Sequence, residues 1–320
     1  MTSRQATNDS RRGSKRIASL WLRHRVVLSI SVAAIFGGAL VAAVDGLLTS
    51  RPHHTAGNVV FSGNFETGDI SQWTWGAQCA NTGPVGGSAV RGTVNIVEDL
   101  VAQGKYAARF DLPAGGPVGA CEALRKRTMA LGTDDWYALE VYFPSSWQEP
   151  SSQFWGLLFA QFDYEALAGP PVGLYAHADH VNLAVQSGLC APNSAGINAC
   201  QYSSGNDASS QGTLGYTLRI VPLGTQLAGT WQQFVVHVHH AADSSGLVQG
   251  WWRPLGRTWA KTVDWSGYPT VQWSSTQPAN SNTVTVDKIG AYRGAATIPV
   301  SIWQDGYCVA TSFAAAESCL

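Results

Sequence analysis

The chain is poor in charge. Only 13% of its 320 residues are Asp, Glu, Lys or Arg, yet 45% are hydrophobic. So low a charge with so much apolar content excludes an intrinsically disordered chain. Beyond residue 50 no stretch shows the 3.6-residue periodicity of a long amphipathic helix, which argues against a helical bundle or a parallel sheet with crossover helices. No internal repeat is present. Several catalytic signatures are missing as well. There is no strand-borne E-x-D-x-x-E pair of the kind a β-sandwich glycosidase carries. There is no G-x-S-x-G elbow, no H-E-x-x-H zinc helix and no C-x2-C pair.

Basic residues are scarce outside the N-terminus. Eight of the 20 Lys and Arg fall in residues 1–51, and beyond them 12 basic residues face 19 acidic ones, a balance of −7. A surface of that sign does not suit nucleic acid, because phosphate binding needs a basic patch. The N-terminus reads differently. Seven basic residues lie between Arg4 and Arg25, opposed only by Asp9, and residues 26–44 then run without a charge. This is the pattern of an export signal or of a single membrane anchor with its basic end in the cytoplasm. The "VAA" at 41–43 fits a cleavage site, and an uncleaved anchor is the other reading. The expected organisation is a basic terminus at 1–25, a signal or anchor helix at 26–44, a linker at 45–57 and one domain at 58–320. The domain is expected outside the cell or on the outer face of the cytoplasmic membrane. It touches the membrane only through the N-terminal helix, if that helix is kept.

What is abundant is glycine, 34 residues, and tryptophan, 13. Short runs of β-branched and aromatic residues alternate with polar ones and end in Gly, Pro, Asn or Ser. Examples are "YAARFDL", "WYALEVYF", "HVNLAVQ", "QQFVVHVHH" and "TVTVDKIGAYR". Many such strands imply an all-β sandwich or jelly roll. All six cysteines lie beyond residue 52, and an even number in an exported chain points to disulfides. Six cysteines allow 15 pairings. Short loops favour Cys190–Cys200 and Cys308–Cys319, which leaves Cys79–Cys121.

Side-chain alternation singles out candidate residues. In "DKIGAYRG" Lys288, Gly290 and Tyr292 share one face. In "FWGLLFAQFD" strict alternation groups Trp155, Leu157, Phe159, Gln161 and Asp163. In "CEALRKR" Glu122 and Lys126 share a face, with Arg125 opposite. In "HVHH" His237 and His239 share a face that suits a metal or the rim of a site, with no third ligand evident. Taken singly, each polar residue is read most simply as marking where a strand leaves the core.

Taken together, these pieces resemble a family. "FSGNFETGDISQW", "KYAARFDL", "ACEALRKR", "WYALEVYFPSSW", "FAQFD", "WQQFVVHVHH", "GLVQGWWRPLG" and "DKIGAYRG" occur in the order found in the heparin lyase I-like polysaccharide lyases. The likeness extends more loosely to the jelly-roll alginate and glucuronan lyases. The resemblance implies a concanavalin-like β-jelly-roll and β-elimination at a uronic acid in an acidic polysaccharide. It also implies a monomer without a cofactor, with a structural calcium ion left open. It makes Tyr292 the acid or acid/base and has Lys288 bind substrate or tune Tyr292. It gives Gln161 and Asp163 catalytic positions and has Gly290 leave room for a sugar ring. Glu122, Lys126, Arg125, His237 and Trp155 become substrate-binding candidates, and His177, His180 and His239 further candidate bases. The groove is expected on a concave sheet. Two positions depart from the family pattern: Ala120 stands where an arginine is usual, and Asp163 where a histidine is usual. A glycan-binding protein without catalysis is the alternative.

Overall fold

The computed structural model describes residues 57–79, 90–151, 156–164, 170–190, 217–274 and 283–320. In chain order the strands are β1 Val59–Ser62, β2 Ala77–Gln78, β3 Val90–Arg91, β4 Thr93–Val97, β5 Ala107–Leu112, β6 Gly119–Met129, β7 Asp134–Phe143, β8 Leu157–Tyr164 and β9 Val172–His177. They continue as β10 His180–Cys190, β11 Thr217–Thr225, β12 Thr230–His239, β13 Leu247–Pro254, β14 Ala260–Ser266, β15 Gln272–Ser274, β16 Thr283–Arg293 and β17 Val300–Ala310. Among the described residues the one helix is the short α1, Phe313–Glu317.

The strands form two sheets. One runs β14-β13-β12-β7-β17-β5-β4, with β1 added on β17. The other runs β11-β10-β9-β8-β16-β6-β2, with β15 on β10 and β3 on β6. Pairing is antiparallel except at β10–β15 and β3–β6. The expected all-β sandwich is therefore the observed architecture, in a form consistent with a jelly roll. Period-2 patterning explains it. Along β7, Leu139, Val141 and Phe143 enter the core, and along β12 so do Phe234, Val236 and Val238. Leu174, Leu183, Val185, Ile289 and Ala291 meet them from the second sheet. Each large apolar side chain so buried contributes on the order of 2 kcal/mol.

Two of the expected disulfides are present. Cys79–Cys121 ties the edge strand β2 region to β6, and Cys308–Cys319 ties the end of the chain to β17. The Cys190–Cys200 pair lies outside the described residues, as do the segment 26–44 and Trp155. Among the described residues no helix is long and apolar enough to cross a membrane. All of the described residues belong to the unit His54–Leu320.

Candidate functional site

β16 is the centre of the second sheet's polar face. It pairs with β6 over eleven residues with no register shift, from Thr283↔Met129 to Arg293↔Gly119. Strict alternation therefore holds. Ile289 and Ala291 enter the core, whereas Lys288, Gly290 and Tyr292 face out. Directly opposed antiparallel residues share a face. Glu122 lies opposite Gly290, Leu124 opposite Lys288 and Lys126 opposite Val286. On the other flank Gln161 lies opposite Lys288, and position 163 opposite Val286. Lys288, Tyr292, Gln161, Glu122 and Lys126 are thus brought to one face of one sheet.

Gln161 reaches that face by a route that alternation does not predict. β8 carries one residue more than β9 between Leu158↔Tyr175 and Ala160↔Leu174. The β8–β16 register also shifts between Ile289 and Tyr292. At this bulge two successive residues turn to the same side. Leu157 and Phe159 enter the core, and then so do Ala160 and Phe162. Leu158 and Gln161 lie on the sheet's other face, where both are still buried. The expected grouping of Gln161 with Leu157 and Phe159 is therefore corrected.

The contacts around Tyr292 set its state. Its ring packs against a small cluster of Leu158, Tyr175 and Ala184, next to Ile220. Burial pushes its phenol pKa up, the Glu122 carboxylate pushes the same way, and Lys288 opposes them. Glu122 accepts a hydrogen bond from Nε2 of Gln161. Gln186 Nε2 donates to the Tyr175 hydroxyl at 3.4 Å. Lys126 places its ammonium 3.1 Å from the centre of the Trp75 ring.

Gly290 is required by the backbone itself. Its φ is +143°, and a Cβ there would lie 2.2 Å from the Cys121 carbonyl oxygen and 2.7 Å from Glu122 Cα. Close approach to β6 demands glycine at this position, whatever space a sugar ring needs.

Two expected residues lie elsewhere. Arg125 projects to the inner side of β6, where its Nη1 meets Asp287 at 3.4 Å and its guanidinium covers Phe61 at 4.0 Å. There it joins a charge cluster. Arg127 bonds Asp135 at 2.7 Å and Asp287 at 3.3 Å, and His240 Nε2 lies 2.6 Å from Asp135. Burial raises the Asp287 carboxyl against the pull of Arg127 and Arg125. Burial acts upward on Asp135 too, but the His240 hydrogen bond and Arg127 hold it below the usual carboxylate range. Arg125 is thus committed to balancing a buried carboxylate. His237 lies on β12, in the other sheet, stacked on Trp136 at 3.9 Å and bonded to Asp134 at 2.7 Å and Gln249 at 3.0 Å. His239 shares Asp134 at 3.1 Å. No group of three potential metal ligands occurs among the described residues.

Sequence reasoning passed over Trp75, Tyr175 and Asn182, which belong to the same region. Alternation in "VGLYAHA" would have found Tyr175, since Gly173, Tyr175 and His177 share a face. His177, at the end of that row, is engaged through Nδ1 by Glu149. His180 lies 3.1 Å from Asp179.

The comparisons with known proteins agree with this architecture. The structure is similar to an endo-β-1,4-glucuronan lyase from the fungus Trichoderma reesei, at 19% identity and a TM-score of 0.58, covering 81% of this chain and 98% of that one. It also matches a marine PL-14 alginate lyase from Aplysia kurodai, at 13% identity and a TM-score of 0.42, covering 68% of this chain and 87% of that one. No curated protein matches the sequence. The polysaccharide lyase family model matches residues 65–307, a span that runs from the core residue Phe65 through the whole outward-facing cluster to Tyr307, and the chain belongs to that family.

Proposed function

We propose that the chain cleaves a uronic-acid-containing polysaccharide by β-elimination, with Tyr292, Lys288, Gln161 and Glu122 at its centre. The observation that carries this reading is the register that sets Lys288 between Leu124 and Gln161, with Tyr292 and Glu122 on the same face. In the reaction the C5–H bond breaks and its proton passes to a base. Its electron pair forms the C4=C5 double bond, and the C4–O bond breaks as the leaving oxygen takes a proton. Charge develops on the C5 carboxylate, so cations and amide donors near it lower the barrier. Lys288 and the Gln161 amide suit that role. Tyr292, held as a neutral phenol by burial and Glu122, suits the proton donor to the leaving oxygen. Asp163 stays a candidate base by position, opposite Val286 on β8.

The family match and the glucuronan lyase-like fold support a uronate polymer as substrate, and the narrower likeness to heparin lyase I-like enzymes belongs to the same proposal. Its acidic balance beyond residue 51 argues against highly sulfated glycans. The basic and then uncharged N-terminal segment and the disulfides support action outside the cytoplasm. A second reading, glycan binding without cleavage, is favoured by Ala120 and Asp163, which replace two ionic side chains expected at such a site.

The test is Tyr292→Phe. It is expected to abolish release of the unsaturated, ultraviolet-absorbing product from a uronate polymer while leaving the melting temperature unchanged, since the ring still packs against Leu158 and Tyr175. Full activity in this variant refutes the assignment. An inactive wild type that still binds the polymer selects the second reading.

A further inference from the structure

We propose that Trp75 and Lys126 form a uronate-binding platform on the outer face of the second sheet, remote from Tyr292, which holds an incoming polymer. The proposal rests on the elimination reading above for its ligand.

Among the described residues Trp75 is the one aromatic side chain that is strongly exposed, at 43%; Val59, Val60, Leu255 and Val284 are the other exposed large hydrophobics. A single exposed apolar residue is ordinary. Trp75 differs because it is held in place on the working face. Its N–H donates to the Leu124 carbonyl at 3.0 Å, and the Leu124 N–H donates to the Gly76 carbonyl at 2.9 Å. The segment is thereby attached to β6 beside the residue that faces Lys288. Gly76, at φ +65°, turns the chain and donates to the Trp73 carbonyl at 2.7 Å. Trp73 is itself anchored in the core, stacked on Phe65 and packed against Tyr307. One tryptophan fixes the turn and the next is presented to solvent.

The Lys126 ammonium, 3.1 Å from the centre of the Trp75 ring, completes the chemistry. A uronate has an apolar C–H face and a carboxylate. The indole face that Lys126 leaves uncovered takes the first, and the ammonium on the ring's other face takes a carboxylate that reaches past the ring edge. A neutral sugar would use only half of the pair, and a protein surface would ask for a wider apolar patch than one ring. The placement also fixes a distance. Lys126 lies opposite Val286, six residues along β16 from Tyr292. At about 3.3 Å per residue that is roughly 20 Å. The platform therefore contacts a sugar well away from the one that reacts.

The test measures KM and kcat on β-1,4-glucuronan and on a series of its shortening oligomers, for wild type, Trp75→Ala, Trp75→Phe and Lys126→Ala. Trp75→Ala and Lys126→Ala are each expected to raise KM on the polymer by about 5–10-fold, the equivalent of one stacking or cation contact. The penalty should shrink as the substrate shortens, and Trp75→Phe should restore most of the loss. A penalty that is independent of substrate length, or none at all, overturns the proposal. Should the wild type not cleave, retardation in native gels containing glucuronan replaces KM. Retardation that is lost in Trp75→Ala and regained in Trp75→Phe supports the platform without the elimination reading. A wild type that is neither active nor retarded overturns both.

Discussion

Asp305 makes the fold's stability depend on pH in an unusual direction. It sits on β17 directly opposite Glu140 on β7, and both side chains are fully buried. Asp305 accepts hydrogen bonds from the backbone N–H groups of Ala102 at 3.1 Å, Gln103 at 3.3 Å and Gly306 at 2.7 Å. Glu140 accepts from Gln233 Nε2 at 2.6 Å and Gln103 Nε2 at 3.0 Å. Neither carboxylate has an ion-pair partner among the described residues. The nearby Arg253 acts on Glu140 from a distance and is itself bonded to Gln233 and, at 3.2 Å, to Glu317. Burial pushes Asp305 up from 3.8 to about 7; the Gly306 N–H pulls it down and Glu140 adds to the rise. Glu140 is itself raised by burial. Between these two values the folded chain holds a proton that the unfolded chain has released. The stabilisation is complete below about 3.8 and is lost as pH rises through about 7. Three pH units at about 1.4 kcal/mol each put the loss on the order of 4 kcal/mol. Urea unfolding of wild type and Asp305→Asn across mildly acidic to mildly alkaline pH reads this out. Asparagine keeps one acceptor but turns an amide toward backbone donors, so the variant starts less stable; its slope with pH is the informative quantity. Wild type should lose stability with rising pH and Asp305→Asn should lose much less. Parallel slopes in the two proteins would refute the reasoning.

Two further outcomes follow from local geometry. Gly290→Ala forces a Cβ to within 2.2 Å of the Cys121 oxygen at a φ of +143°. It should cost at least about 2 kcal/mol and displace Tyr292, seen as a lower melting temperature together with lost eliminase activity; wild-type melting would count against the assigned strand contact. Cys319→Ser opens a disulfide that closes an 11-residue separation. The chain-entropy relation puts the loss at about 3 kcal/mol, measurable as a shift in urea midpoint, and an unshifted midpoint would show that α1 is held without the bond.

How much of this was legible in the sequence depended on which physical rule decided each point. The fold class followed from alternation, because a half-buried strand can hardly hide its period. The Lys288–Tyr292 face was legible for the same reason, since β16 is regular against β6 throughout. What Arg125 and His237 pack against was not legible. Alternation put Arg125 on the face opposite Glu122, and there it stands. Its partner, Asp287, is 162 residues away, and no local pattern reports such a pairing. For His237 alternation tells which side of β12 it occupies, but not that β12 belongs to the other sheet.

Gln161 is the instructive case, because the needed signal was present and was outweighed by a rule. Strict alternation through "LLFAQFD" would send Gln161 inward with Leu157 and Phe159, while Phe162 faced out. A buried amide without partners costs about 1–3 kcal/mol, and Phe162 on the outer face would lose its stacking partner Tyr137. One extra residue at the bulge reverses both penalties at once. Phe162 then stacks on Tyr137 at 3.7 Å, and the Gln161 amide bonds Glu122. The bulge costs at most the local irregularity of one ladder position. A run whose apolar residues change phase in mid-strand is therefore evidence for a bulge at the change, and bulges gather beside active sites. Here the change of phase falls between Phe159 and Ala160, and the residue it turns to the other face is the one that lies opposite Lys288.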